Sequence, residues 1–290
     1  QLQSVFFLYG IIFLIMVVLG SFVMVSPPEG WVPAGWTPPA PAAGDTAAST
    51  EGLLPGQMLR TPQYYMLLTT FIFSAMAGLM TIGVIKLFGI DALSGSGMDK
   101  ALASAKAGTA MAVFFSLANG IGRIAWGTIS DTLGWKKSIV IMAAVQGVFM
   151  LSFFWMGQSE YMLYLWATVI GFNFGGNFAL FPVATADNFG TKTVGQNYGW
   201  VFLAYGVGGI AGPLLGGMLG DLGNFPLAFS ICGAACLVGA CCTLLVHHPD
   251  HEEAIRPASM HGFMHQMHLD HLEDVAEYAL HPDHFKRTKD

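Results

Sequence analysis

Along most of this chain the apolar residues neither alternate nor recur at amphipathic spacing; they run on in long stretches almost free of charge. Seven such stretches cover approximately 5–25, 64–86, 107–129, 138–157, 161–185, 198–219 and 225–246. Each is close to the about 20 helical residues that cross a hydrocarbon core about 30 Å thick. Transmembrane strands would be about 10 residues long with alternating polarity. In lipid, a helix satisfies every backbone polar group within its own segment. The pattern therefore predicts an all-α integral membrane protein.

Two segments break it. Residues 26–56 hold seven prolines (Pro27, Pro28, Pro33, Pro38, Pro39, Pro41, Pro55), a composition that favours extended chain over packed helix. They read as a linker over 26–60 between two bundles, with Trp31 and Trp36 as interfacial anchors or as side chains docked on the bundle. Residues 247–290 carry all nine histidines, nine acidic and four basic residues, and read as a soluble tail with an amphipathic helix over 260–280. The expected organisation is a transmembrane helix at 1–25, the linker, a six-helix bundle at 61–246 and the tail.

Composition sharpens this. Hydrophobic residues make up 54% and charged residues 10% of the 290, against about 25% charge in soluble domains, which excludes a water-soluble enzyme. Twelve Lys and Arg at a net charge of −6 leave no patch for several phosphates, so no nucleic-acid partner is expected. The cysteines, Cys232, Cys236, Cys241 and Cys242, all fall in the last span and read as packing residues. In the tail, the spacing of His261, His265, His268 and His271 suits a metal or a pH sensor, while Phe263, Met267 and Val275 suit a docking helix. No metal or cofactor is assigned. With alternate loops on one side, Arg60, Lys136, Lys137, Lys192 and Arg256 oppose Lys86, Lys100 and Lys106. The first set is the expected cytoplasmic side, together with the C-terminus.

Arg123 stands apart. Eight residues from Asp131, it lies about 12 Å along the helix, near mid-membrane, where it costs about 2.5–3.5 kcal/mol even on a lenient scale. No carboxylate is expected between the ends of any span. A guanidinium in a water-accessible cavity can hold a carboxylate by two parallel hydrogen bonds; pairing with backbone carbonyls or with an acid outside this chain is the structural alternative. Asn119, Arg123 and Trp126, at i, i+4 and i+7, share one face, with Asn119 read as an interhelical hydrogen bond or ligand contact and Trp126 as cavity wall or core. Asn173/Asn177 and Phe174/Phe178 form two stripes at spacing four, and Tyr205 reaches the depth of Arg123.

Two motifs carry more than packing. The loop from Gly127 to Lys137 (GTISDTLGWKK) places Gly127, Asp131, Gly134, Lys136 and Lys137 in a tight reversal. The sixth stretch sets Gly199, Gly208, Gly212, Pro213, Gly216 and Gly217 in the pattern G-x8-G-x3-G-P-x2-G-G, in which glycines four apart make a ridge that admits a neighbouring backbone.

The loop resembles the G-x-x-x-D-x-x-G-[RK]-[RK] signature of the major facilitator superfamily, with Trp135 in place of a basic residue, and the glycine pattern is similar to that superfamily's antiporter motif. The stretches 119–131 (NGIGRIAWGTISD), 171–182 (GFNFGGNFALFP) and 197–206 (NYGWVFLAYG), with the 30–36 loop (GWVPAGW), resemble the oxalate:formate antiporter family. The resemblance covers about 5–246. It implies the C-terminal six-helix bundle plus one preceding helix, helices 6 to 12 of a twelve-helix transporter in a bacterial inner membrane, with the N-terminal bundle as partner. It also implies that Arg123 binds substrate carboxylate and that Phe174 and Phe178 contact it. The family's opposing lysine is replaced by Tyr205, which favours a monocarboxylate or a hydroxy acid over oxalate. The expected function is alternating-access transport of a small carboxylate, by antiport and without enzymatic activity; an anion channel and a seven-helix receptor are the rivals.

Overall fold

The computed structural model describes residues 2–24, 31, 35 and 52–247. Most of the Pro-rich stretch, Trp36, the lysine-free start of the linker and the His-rich tail lie outside the described residues, as do the expectations placed on them. Trp31 is exposed. The chain divides into two compact units, Gln1–Asp45 and Thr46–Asp290. The first holds α1 (Leu2–Val23), an uncharged helix whose side chains are exposed along its length.

In the second unit a short α2 (Pro55–Met58) precedes α3 (Pro62–Gly95), α4 (Lys100–Thr109), a π-helical turn (Ala110–Phe115) and α5 (Ser116–Leu133). Then follow α6 (Trp135–Leu151), the short α7 (Phe153–Met156), α8 (Glu160–Phe189), α9 (Val194–Asp221) and α10 (Phe225–Leu245). With Lys100–Leu133 taken as one span, six helices among the described residues are long and apolar enough to cross a membrane. The stretch expected at 138–157 is the 17-residue α6 followed by α7. No strand occurs among the described residues. The all-α membrane fold follows from the hydrophobic pattern.

Local chemistry sets the helix ends. Thr61 caps α3 by accepting from the Tyr64 amide, with Pro62 in the first turn, where its missing N–H costs nothing. Ser159 and Asn224 cap α8 and α10 likewise. Gly134, at φ 82°, turns the chain from α5 into α6 in a conformation side chains disfavour. One expectation needs correction: α5 and α8 enclose Asp131 and Asp187 near their ends, and α3 runs past Lys86 to Gly95 and so carries Asp91 inside a helix. At 34 residues it is about 51 Å long, so its last turns extend beyond a hydrocarbon core and leave that carboxylate exposed.

The last part of the expected linker belongs to the bundle. Leu53 and Met58 are buried. The Leu53 amide donates to the Phe189 carbonyl at 2.8 Å, and the Leu53 carbonyl accepts from Thr193 Oγ1 and Asn197 Nδ2, both at 2.8 Å. Next to this clamp, Trp135 Nε1 donates to Asp187, and Lys136 Nζ donates to the Val246 carbonyl at 2.5 Å.

Helices pack pairwise, α3 on α9, α5 on α8 and α6 on α10, and glycines set the closest approaches. A Cβ at Gly208 or Gly212 would stand 2.8 Å from the Met76 amide nitrogen or 2.4 Å from the Met76 carbonyl, and one at Gly216 would meet Met80 at 2.8 Å. The ridge thus lies against α3, and Pro213 fits opposite Gly83. Gly220 faces Phe225 instead, while a Cβ at Gly199 or Gly217 would meet nothing within 4 Å. Replacing Gly212 with Val should lower the thermal stability of the detergent-purified protein by at least the about 1–3 kcal/mol of an overpacked core. Gly217→Ala should stay within about 0.5 kcal/mol; equal melting temperatures for the two variants would refute the ridge.

Candidate functional site

The site is built where α5 and α8 cross. A Cβ at Gly122 would stand 2.1 Å from the Phe172 carbonyl oxygen, one at Gly175 would stand 2.2 Å from that of Asn119, and one at Gly171 would stand 2.5 Å from that of Phe115. The two backbones therefore touch, and side chains beside the crossing are brought together. The Arg123 guanidinium carbon lies 4.3 Å from the centroid of the Phe178 ring, a cation–π contact worth about 0.5–2 kcal/mol. Arg123 Nε donates to Asn119 Oδ1 at 3.3 Å. Among the described residues no carboxylate pairs with Arg123; the ion pair that does occur is Lys106 with Glu160 at 2.8 Å.

Aromatic rings extend the site onto α9 and against α3. Phe178 meets Tyr205 edge-to-face at 5.4 Å and Phe174 at 5.6 Å, and Phe174 and Tyr205 are 6.5 Å apart. Phe174 is buried over Gly78, where a Cβ would stand 2.0 Å from the ring. Tyr205 also stacks on Phe202 at 5.2 Å. Pro182 has no N–H to give to the Phe178 carbonyl one turn earlier, which loosens α8 beside the site.

A cavity of about 370 Å³ adjoins Arg123, lined by Ile82, Met111, Phe115, Ser116, Asn119 and Gly120 as well. That volume is within the usual range for small-molecule sites, about 300–1,000 Å³. Arg123 is its one charged wall residue, and Ile82, Met111 and Phe115 are apolar.

Of the residues singled out in the sequence, Arg123, Asn119, Phe174, Phe178 and Tyr205 come together. Trp126 and Asn177 do not join them. Trp126 lies on the buried stripe Ala118, Gly122, Trp126, Ser130, its indole filling the space over Gly176. Trp126 lies about 60° around the helix from Arg123, at i, i+3, enough to turn it from the cavity to the helix contact. Asn177 is fully buried and accepts from Ser74 Oγ at 2.8 Å. Ser74 also reaches Gln146 Oε1 at 3.4 Å, and Gln146 Nε2 donates to the Ser74 carbonyl at 3.3 Å, so these residues tie α3, α6 and α8. Of the loop motif, Gly134 makes the turn, Lys136 reaches Val246, a Cβ at Gly127 would stand 3.9 Å from that of Ala179, and Asp131 and Lys137 are exposed. Sequence reading missed Ile82, Met111, Phe115, Ser116 and Gly120, together with the π-helical turn, a feature often found at functional sites. The close spacing of Gly171, Gly175 and Gly176 was the available signal for the crossing.

The fold defines an all-α integral membrane protein built from long apolar helices. Residues 97–264 match the Major Facilitator Superfamily, and the chain belongs to that family. It is 27% identical over 209 residues to an uncharacterized MFS-type transporter, YhjX, of Escherichia coli (strain K12), covering 72% of this chain and 48% of that one. It is 28% identical over 177 residues to the oxalate:formate antiporter of Oxalobacter formigenes, covering 61% of this chain and 40% of that one. To apicoplast pyruvate carrier 1 of Toxoplasma gondii it is 33% identical over 90 residues, 30% of this chain and 16% of the carrier. The chain spans about half the length of the first of these and less of the others.

The carboxamide oxygen of Asn177 is tied to Ser74, while its Nδ2 is buried without a protein partner among the described residues. Asn177→Ala should destabilise the protein by about 1 kcal/mol, since it takes an acceptor from Ser74 Oγ but also removes an Nδ2 that has no partner, while KM for transport stays as it was. A raised KM at unchanged melting temperature would return Asn177 to the substrate site.

Proposed function

We propose that this chain forms part of a secondary active transporter that moves a small carboxylate anion by alternating access, with a monocarboxylate favoured and oxalate/formate-type exchange as the alternative. The observation that carries this reading is a single guanidinium, beside the α5–α8 crossing, on the wall of a cavity with no other charged wall residue. One cation balances one carboxylate, and a planar guanidinium binds that group through two parallel hydrogen bonds. The apolar residues Ile82, Met111 and Phe115 suit the non-acidic end of such a substrate and disfavour a second carboxylate there. Tyr205 is not a wall residue of this cavity; its ring backs Phe178 from α9 at 5.4 Å. Likeness to an oxalate:formate antiporter and to a pyruvate carrier is consistent with carboxylate chemistry.

In this reading an N-terminal bundle of the same transporter completes the substrate site, and the two bundles rock about it. The Pro-rich segment connects them on the cytoplasmic side, where the excess of Lys and Arg also places the tail. The bacterial inner membrane is the proposed location. Membership of a transporter family favours a carrier over a channel or a receptor.

Counterflow in proteoliposomes of the natural full-length protein, with formate, acetate, pyruvate, lactate and oxalate, tests this. Monocarboxylates should exchange, and Arg123→Gln should reduce uptake to the level of protein-free vesicles, while Arg123→Lys should keep part of it, with a raised KM. Undiminished uptake by the Gln variant would remove Arg123 from the site. Single-channel conductance without a counter-substrate requirement would favour the channel.

A further inference from the structure

Resting on the anion-site reading of Arg123, we propose that Asn119 is a positioning residue that fixes the guanidinium for two-point capture of a carboxylate, rather than an interhelical bond or a direct ligand. Asn119 lies one helical turn before Arg123, is half-buried, and accepts from Nε at 3.3 Å. Phe178 lies against the guanidinium, with its centroid 4.3 Å from Cζ. With Nε engaged and the guanidinium carbon over an aromatic ring, the two terminal nitrogens are the donors left for a ligand, and they form the fork that matches a carboxylate. A free arginine would lose several rotors on binding; one already held loses little, and the difference appears as affinity.

The helix itself is adapted to this placement. The turn before α5 is π-helical, from Ala110 to Phe115. Just after it, Ser116 Oγ donates to the Met111 carbonyl across five residues at 3.0 Å. A π-helical turn holds an extra residue relative to an α-helical one and so shifts the register of the side chains that follow. Met111, Phe115 and Ser116 from this turn border the same cavity as Asn119 and Arg123. Asn119 itself is anchored from behind, because its carbonyl lies against Gly175, where a Cβ would come within 2.2 Å. Its backbone is therefore fixed by the α5–α8 crossing, and its side chain transmits that rigidity to Arg123.

The test is a substitution series at 119 in the reconstituted full-length protein, with acetate uptake as the probe. Asn119→Leu has similar volume but no acceptor, and should raise KM about tenfold with maximal rate retained, as expected for loss of one hydrogen bond to a charged group. Asn119→Gln restores an acceptor at the same spacing and should recover most of the affinity. If the Leu variant fails to accumulate in the membrane, Asn119→Ala serves the same comparison. A KM equal across all variants, or a fall in maximal rate alone, would overturn the positioning role. Arg123→Gln run beside them keeps the two ideas apart: if it transports normally the anion site fails, and if it is inactive while the 119 series is silent only the role of Asn119 fails.

Discussion

The contact on which the site depends is the touching of two helix backbones at Gly122, Gly171 and Gly175. In lipid there is no hydrophobic drive to press one helix onto another, so association relies on van der Waals contact and on how closely main chains can approach. Any side chain at these three positions would overlap a carbonyl oxygen of the facing helix. Because the crossing leaves so little freedom, Arg123 and Phe178, one turn or less from it, are brought into contact without any bond of their own dictating it. The ridge of Gly208, Gly212 and Gly216 does the same between α3 and α9 and so sets the position of Tyr205.

Polar groups are divided by charge between core and cavity. The interior holds uncharged hydrogen-bonding residues: Ser74, Gln146 and Asn177 join three helices, while Thr70 Oγ1 donates to the Gly239 carbonyl at 2.8 Å and lies 3.0 Å from Thr243 Oγ1. An amide or hydroxyl can be satisfied there by one or two neighbours. A guanidinium cannot, since desolvating a full charge costs several kcal/mol beyond what a few dipoles return. Arg123 accordingly stays exposed at the cavity, with an aromatic face and one amide oxygen for support. That arrangement leaves a cation available to an anion.

One end of the bundle is tied together by backbone-directed bonds. The Leu53 peptide is gripped on both sides by the α8–α9 turn, Trp135 joins the end of α8, and Lys136 holds the end of α10. Trp135, which departs from the basic residue of the resembling loop signature, thus has a structural use as an indole donor. The chain entering the bundle, the α5–α6 reversal and the two hairpin ends are linked through α8, the same helix that carries Phe174 and Phe178.

What could be read along the chain was whatever depends on neighbours in sequence. Long uncharged stretches dictate membrane helices because lipid leaves the backbone no other partner, glycines four apart announce a close contact, and one arginine amid apolar residues marks itself as needing an explanation. The family and the grouping of Arg123, Phe174, Phe178 and Tyr205 were legible through motif and depth. Which side of α5 each residue faces was not. Asn119, Arg123 and Trp126 share a helical arc, yet only the position of α8 divides that arc into cavity and contact, sending Trp126 into the core. Asn177 carries the same amide as a ligand-binding residue would, and only the arrival of Ser74, a hundred residues away, turns it into a structural tie. The π-helical turn leaves no mark in composition, because its extra residue is accommodated by packing against other helices. Spacing determines which residues share a depth; the glycine-set crossings decide which of them meet.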